Sequence, residues 1–166
     1  GFTQAKLQEQ HLKSEVAKDL AQELNSKNIN AQVDLSSGVV KLSDLQLFEL
    51  GSYQLSNDGK AFLNKFIPIY LNAVYSNPKI ADKVVNIVIQ GHTDSQSFAG
   101  VSSKDLQFIK NMELSTQRAN EVAKYMFYTP YNKAYSAKLY KMLVVEGKSF
   151  SQPVLVNGKE DYDKSR

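Results

Sequence analysis

The stretch VVNIVIQGHTDS at residues 84–95, followed after a polar segment by NMELSTQRANEVA at residues 111–123, decides the fold. Val84, Val85, Ile87, Val88 and Ile89 form a β-branched, nearly continuous apolar run, the pattern of a central strand buried on both faces. The run ends at Gly91, and a short turn then carries His92, Thr93 and Asp94. In the second piece Ala119, Val122, Ala123, Met126 and Phe127 recur at i, i+3, i+4, i+7 and i+8, which predicts a helix with one apolar face. Asn111, Leu114, Ser115 and Arg118 stand in its first turns, with Asn111 or Ser115 as its cap. A buried strand that delivers an acid, beside a helix that delivers an arginine, is the layout of a small charged-ligand site. The acid suits an ammonium group, and the planar guanidinium suits a carboxylate through two parallel hydrogen bonds. Read singly, Asp94 is equally a turn residue after a strand, and Arg118 a solvated helix charge.

Upstream, residues 3–26 read as one amphipathic helix, with Leu12, Val16, Leu20 and Leu24 at a four-residue step and Ala17 and Ala21 beside them. That stripe is expected to bury against the domain or against a second copy of the chain. Residues 29–35 alternate, Ser36-Ser37-Gly38 turns, and residues 39–42 resume as a strand, so a hairpin is predicted. Ser56 caps a helix over 57–75, whose apolar face is Ala61, Phe62, Phe66, Tyr70 and Val74 and which Pro68 should kink. Residues 95–110 read as a long loop with at most a helical turn at 105–109. Thr129-Pro130 stops the helix before it, a further helical segment spans 131–138, and residues 142–145 form a strand ended by Gly147. Residues 149–161 read as a loop and 161–166 as a turn or short helix. The tyrosines between 125 and 140 are read as packing rather than as a sugar-stacking surface. Together these elements predict an α+β fold, a two-layer sandwich. Its mixed sheet contains 39–42, 84–89 and 142–145, and helices 57–75 and 114–127 cover one face. The division drawn is a linker helix at 1–28 and a domain at 29–166.

Composition narrows the function. A net charge of +3 over 166 residues is too weak a bias for a nucleic-acid surface. The absence of cysteine removes disulfides, thiolate metal sites and cysteine nucleophiles together. His92 beside Asp94 has only His11 as a second imidazole, and no metal-ligand spacing surrounds it. There is no G-x-S-x-G elbow and no glycine-rich phosphate loop, so neither a catalytic group nor a cofactor is expected. No run of about 18 apolar residues occurs. The sequence starts at Gly1, which we read as a soluble piece whose anchor or export signal lies elsewhere.

Several blocks resemble the OmpA/MotB C-terminal family of peptidoglycan-binding domains over about residues 38–166. The first is LFELGSYQLSNDGKAFL, with Phe48, Leu55 and Gly59 in the family's positions. The second is the G-x-T-D of Gly91–Asp94, and the third is the N-x-x-L-S-x-x-R-A of Asn111 to Ala119. Val144, Gly147 and Pro153 match a fourth, while the last shows Ser165-Arg166 where the family has an asparagine with arginines. The segment between Asp94 and Asn111 is longer than the family usually has, and the family's final strand is not represented. The resemblance implies an OmpA-like sandwich that binds the peptide stem of peptidoglycan by its diamino acid, commonly diaminopimelate. Asp94 would take the ammonium and Arg118 the carboxylate, with Thr93, Asn111, Leu114 and Arg166 lining the pocket and N–H groups at the helix start adding donors. Alanine at 94 or at 118 is then expected to abolish wall retention and leave the fold intact. Within the family the chain looks most like a MotB-type stator subunit of an ion-driven motor, with features similar to the MotB-like subunit of the Zorya anti-phage system. That implies a non-catalytic, periplasmic, homodimeric wall anchor on an inner-membrane protein. Its MotA-like membrane partner would engage a segment outside this chain. An outer-membrane OmpA or Pal type is the alternative, and a wall hydrolase a more distant one.

Overall fold

A computed structural model describes residues 2–7, 10–93, 100–148, 155–156 and 159–160. In chain order the elements are β1 (Phe2–Leu7), α1 (Gln10–Ser26), β2 (Gln32–Val33), β3 (Val40–Lys41), α2 (Asp44–Leu47), α3 (Asn57–Tyr75) and α4 (Pro78–Ala81). Then follow β4 (Val84–Gly91), α5 (Lys104–Met126), a 3-10 turn (Lys133–Tyr135), α6 (Ser136–Met142), β5 (Leu143–Gly147), β6 (Leu155–Val156) and β7 (Lys159–Glu160). Five strands form one sheet in the order β2-β3-β1-β4-β5, and β6 pairs with β7 apart from it. The large sheet is mixed, as predicted: β4 and β5 are parallel, and the other pairs antiparallel.

The hairpin forms where alternation and the Ser-Ser-Gly turn placed it. Gly38 adopts φ +76°, a conformation open to glycine at little cost. Asp34 Oδ1 accepts from the backbone N–H groups of Ser36 and Ser37 and from the Ser36 hydroxyl. These bonds, led by the Ser36 hydroxyl, hold the Asp34 carboxyl down to about 2. Leu35 falls in this turn and is exposed rather than sharing the buried face.

Two expectations are corrected. The helix read over 3–26 begins only at Gln10. Phe2–Leu7 is instead a strand in the middle of the sheet, paired with β4 from Phe2 opposite Gln90 to Leu7 opposite Val84. Gln, Ala, Lys and Leu favour helix locally, but β1 satisfies the inward edges of both β3 and β4, and that tertiary demand outweighs propensity. Val16, Ala17, Leu20 and Leu24 are buried as expected. Val16, Leu20 and Leu24 belong to the cluster that holds Val40, Phe66, Tyr70, Ile87 and Met126, so the boundary drawn at residue 28 passes through one core; the side chain of Leu12 lies outside the described residues. The second correction is α5. It starts at Lys104, capped by the Ser103 hydroxyl accepting from Leu106 N–H, so much of the segment read as a loop is helix.

The core lies between sheet and helices. α3 contributes Leu63, Phe66, Ile67, Tyr70 and Val74 and runs through Pro68 as one helix. β4 is buried on both faces, Ile87 and Ile89 on one and Val88 on the other. Gly91 and Gly147 stand opposite each other in the β4–β5 register. A Cβ on Gly91 would meet the Ser115 carbonyl oxygen, and one on Gly147 would meet Thr116. This glycine pair lets α5 come down onto the C-terminal ends of the two parallel strands. Past α5, Phe127 packs against the rings of Tyr131 and Tyr140, the aromatic packing that the sequence indicated. Residues 149–154, 157–158 and 161–166 lie outside the described residues, so the turn read at 161–166 does too.

Candidate functional site

The close approach of α5 to β4 places the third motif block beside the second. Gln90 Oε1 lies 3.3 Å from His92 Nε2, so strand alternation continues past the end of β4. His92 thereby lies on the face of Gln90, and Thr93 on the face of Gly91, which is the α5 side. Thr93 is buried, and its Oγ1 has no hydrogen-bond partner among the described residues. A buried hydroxyl in that state costs about 1–3 kcal/mol, a cost a ligand donor or acceptor would remove.

Arg118 projects from the middle of α5 and is only 7% exposed. Its Nε donates to the Ser52 carbonyl at 2.9 Å, and its Nη1 donates to Asp44 Oδ2 at 3.3 Å. The guanidinium carbon stands 5.3 Å from the centre of the Phe48 ring. The sequence reading missed Asp44. Ser43-Asp44 directly after an inward strand was a turn signal, and nothing local indicates that its carboxylate meets a helix 74 residues on. Between these groups, Asp44, Phe48, Gln90, Gly91 and Arg118 line a cavity of about 10 Å³, room for about one water molecule.

The predicted site residues divide as follows. Thr93, Asn111 and Arg118 are buried, and Leu114 is half-buried on the same helix. Asp94 and Arg166 lie outside the described residues. Asn111 is not a cap: it sits two turns into α5, and its Nδ2 donates to the Gln107 carbonyl at 2.8 Å. The backbone N–H groups beside Arg118 are therefore spent within the helix, so the extra donors expected from a helix start are not present there. Among the described residues no group of histidines and carboxylates could hold a metal ion.

His92 is buried beside this site. Burial, the largest influence, pushes its imidazole down to about 4. The folded form therefore keeps His92 neutral where the unfolded chain takes up a proton. Stability is unaffected above about pH 6.5 and falls as pH drops from there toward 4, by up to about 3 kcal/mol. Thermal melts between pH 7.5 and 5, above most carboxylate titration, should show this slope in the parent. They should show a shallower slope in His92→Gln; equal slopes would mean that His92 charges freely in the fold.

The fold is the α+β sandwich seen in solved MotB periplasmic domains and in a cell wall anchor. The cell wall anchor of the T6SS from Pseudomonas aeruginosa superposes with a TM-score of 0.56 at 19% identity, over 93% of each chain. A MotB-like protein from Desulfovibrio vulgaris gives 0.55 at 20% identity, over 93% of this chain and 91% of its own. The periplasmic domain of Helicobacter pylori MotB gives 0.52 at 22% identity, over 76% of this chain and 69% of its own. By sequence the chain is similar to a particular protein, the Zorya protein ZorB of Escherichia coli, 29% identical over 154 residues. The match covers 92% of this chain and 61% of the length of ZorB. No protein-family profile matches the chain. These neighbours agree with the OmpA/MotB resemblance read from the motif blocks and with the Zorya-like features noted beside it.

Proposed function

We propose that this chain is a non-catalytic peptidoglycan-binding domain that fixes a membrane protein to the cell wall by gripping the diamino acid of the stem peptide. The observation that carries this reading is the pairing of a buried arginine on α5 with an unpartnered buried threonine at the end of β4. Arg118 is held by Asp44 and the Ser52 carbonyl, so its fork is ordered before a carboxylate arrives. Thr93 supplies a hydroxyl, and Asp94, the next residue in the chain, takes the ammonium. Asn111, Leu114 and Arg166 complete the pocket. A zwitterionic end engages both Asp94 and Arg118, whereas a simple amine or carboxylate engages only one of them. Similarity to ZorB across 92% of the chain favours a MotB-like subunit of a Zorya-type ion-driven complex over a flagellar stator. In that setting the domain is periplasmic, pairs with a second copy, and belongs to an inner-membrane protein with a MotA-like partner. No described helix is long and apolar enough to cross a membrane.

The test is co-sedimentation with purified peptidoglycan sacculi. The chain should pellet with sacculi, release no soluble fragments, and be displaced by free diaminopimelate. Asp94→Ala should weaken retention about 30-fold or more, since a desolvated charge partner is worth about 2–5 kcal/mol, with an unchanged melt. Fragment release would make the domain a hydrolase. Undiminished retention by a folded Asp94→Ala variant would dismiss the assigned grip.

A further inference from the structure

Asn111, Leu114, Arg118, Glu121, Tyr125 and Tyr128 fall at steps of three and four along α5 and into the turn after it. They form one continuous stripe. The first half of that stripe is the site described above. The second half walls a groove of about 430 Å³, closed on its other side by Gln54 and Lys60. The two halves share a second wall as well. Gln54 lies two residues beyond Ser52, whose carbonyl holds Arg118.

We propose that this groove is a subsite for the sugar strand of the wall, adjoining the stem-peptide grip and resting on that reading. Tyr128 is 80% exposed and stands apart from the Phe127–Tyr131–Tyr140 packing. Its ring centre lies 6.4 Å from that of Tyr125 at an angle of 38°. A pyranose presents an apolar C–H face that packs on such a ring and a rim of hydroxyl and acetamido groups that needs polar partners. Gln54, Lys60 and the Glu121–Lys124 pair, joined at 2.9 Å, supply donors and acceptors around the rings. The spacing fits as well. Arg118 and Met126, the last residue of α5, are eight residues apart, about 12 Å along the helix, and Tyr128 follows in the turn. A diamino acid in third place on the stem is separated from the sugar by two residues and a short linker, about 10 Å when extended. A stem gripped at Arg118 and running toward the C-terminal end of α5 therefore reaches the groove between Glu121 and Tyr128 with its own sugar.

The experiment titrates three ligands by NMR and calorimetry: a stem tripeptide ending in diaminopimelate, the same tripeptide carrying its disaccharide, and an N-acetylglucosamine tetramer. The parent should bind the disaccharide-tripeptide about fivefold to tenfold more tightly than the free tripeptide. Tyr128→Ala should remove that gain and leave tripeptide affinity unchanged, whereas Asp94→Ala should weaken both. Equal affinity of the parent for the two peptides, or a Tyr128→Ala variant that keeps the gain, overturns the subsite. If the tripeptide does not bind at all, the stem-peptide reading fails by itself. The tetramer then decides the groove: shifts confined to the Tyr125 and Tyr128 ring signals support it, and their absence overturns it.

Discussion

Arg118→Ala is expected to lower stability by about 3–5 kcal/mol and to abolish wall retention. In a domain of this size that is about 6–20 °C in Tm. The side chain joins three parts of the fold: α5 itself, the start of α2 through Asp44, and the segment before α3 through the Ser52 carbonyl and the Phe48 ring. Alanine withdraws the counter-charge from a carboxylate that is only 3% exposed, and a buried charge that loses its partner costs far more than the pair contributes. Here the structure corrects the expectation from sequence alone, which had the fold intact without this arginine. Arg118→Lys should recover little, because a point ammonium cannot bridge the Ser52 carbonyl and Asp44 as a planar fork does. The double variant Asp44→Leu with Arg118→Met separates the two roles. Removing both charges together should bring stability back to within about 1–2 kcal/mol of the parent while retention on sacculi stays lost. A single Arg118→Ala variant that melts like the parent would mean that the Asp44 pair does not hold these segments together.

Gly91→Ala should be comparably severe, at least about 3 kcal/mol, although it adds one methyl group and removes no bond. The new Cβ would run into the Ser115 carbonyl oxygen, a backbone atom in the middle of α5, with the Ala119 Cβ at 3.3 Å. Backbone packed in a helix cannot turn aside as a flexible side chain does, so α5 must lift from β4. That movement carries Arg118 away from the turn that holds Thr93, so binding should fall with stability. Gly51→Ala is the control. Gly51 has φ +67° and nothing within 4 Å of the added methyl, so it should cost only the conformational penalty of about 1–2 kcal/mol. Equal Tm losses at the two positions would show that conformation, rather than the helix–strand approach, sets the cost at Gly91.

Wherever the pattern is local, the sequence determined the outcome by itself. The β-branched run at 84–89 could satisfy its periodicity only as a strand buried on both faces, and α3 and the later part of α5 carry enough apolar positions at helical spacing to define their inner faces. The hairpin at 32–41 follows from alternation and a glycine that tolerates positive φ. The residue spacing also brought Thr93, Asn111, Leu114 and Arg118 to the elements on which they stand. Tertiary structure decided three things that no window of sequence contains. Phe2–Leu7 became the central strand because two strand edges lacked hydrogen-bond partners, a demand that outweighs the helix preference of Gln, Ala, Lys and Leu. Asp44 became the partner of Arg118 because α5 settles across the Gly91–Gly147 pair, which brings together charges 74 positions apart. Tyr125 and Tyr128 come into phase with Arg118 because α5 runs unbroken from Lys104 to Met126 and the chain turns directly after it. Periodicity specifies which face a residue occupies, but which element meets that face is set by hydrogen-bond and packing demands summed over the whole chain.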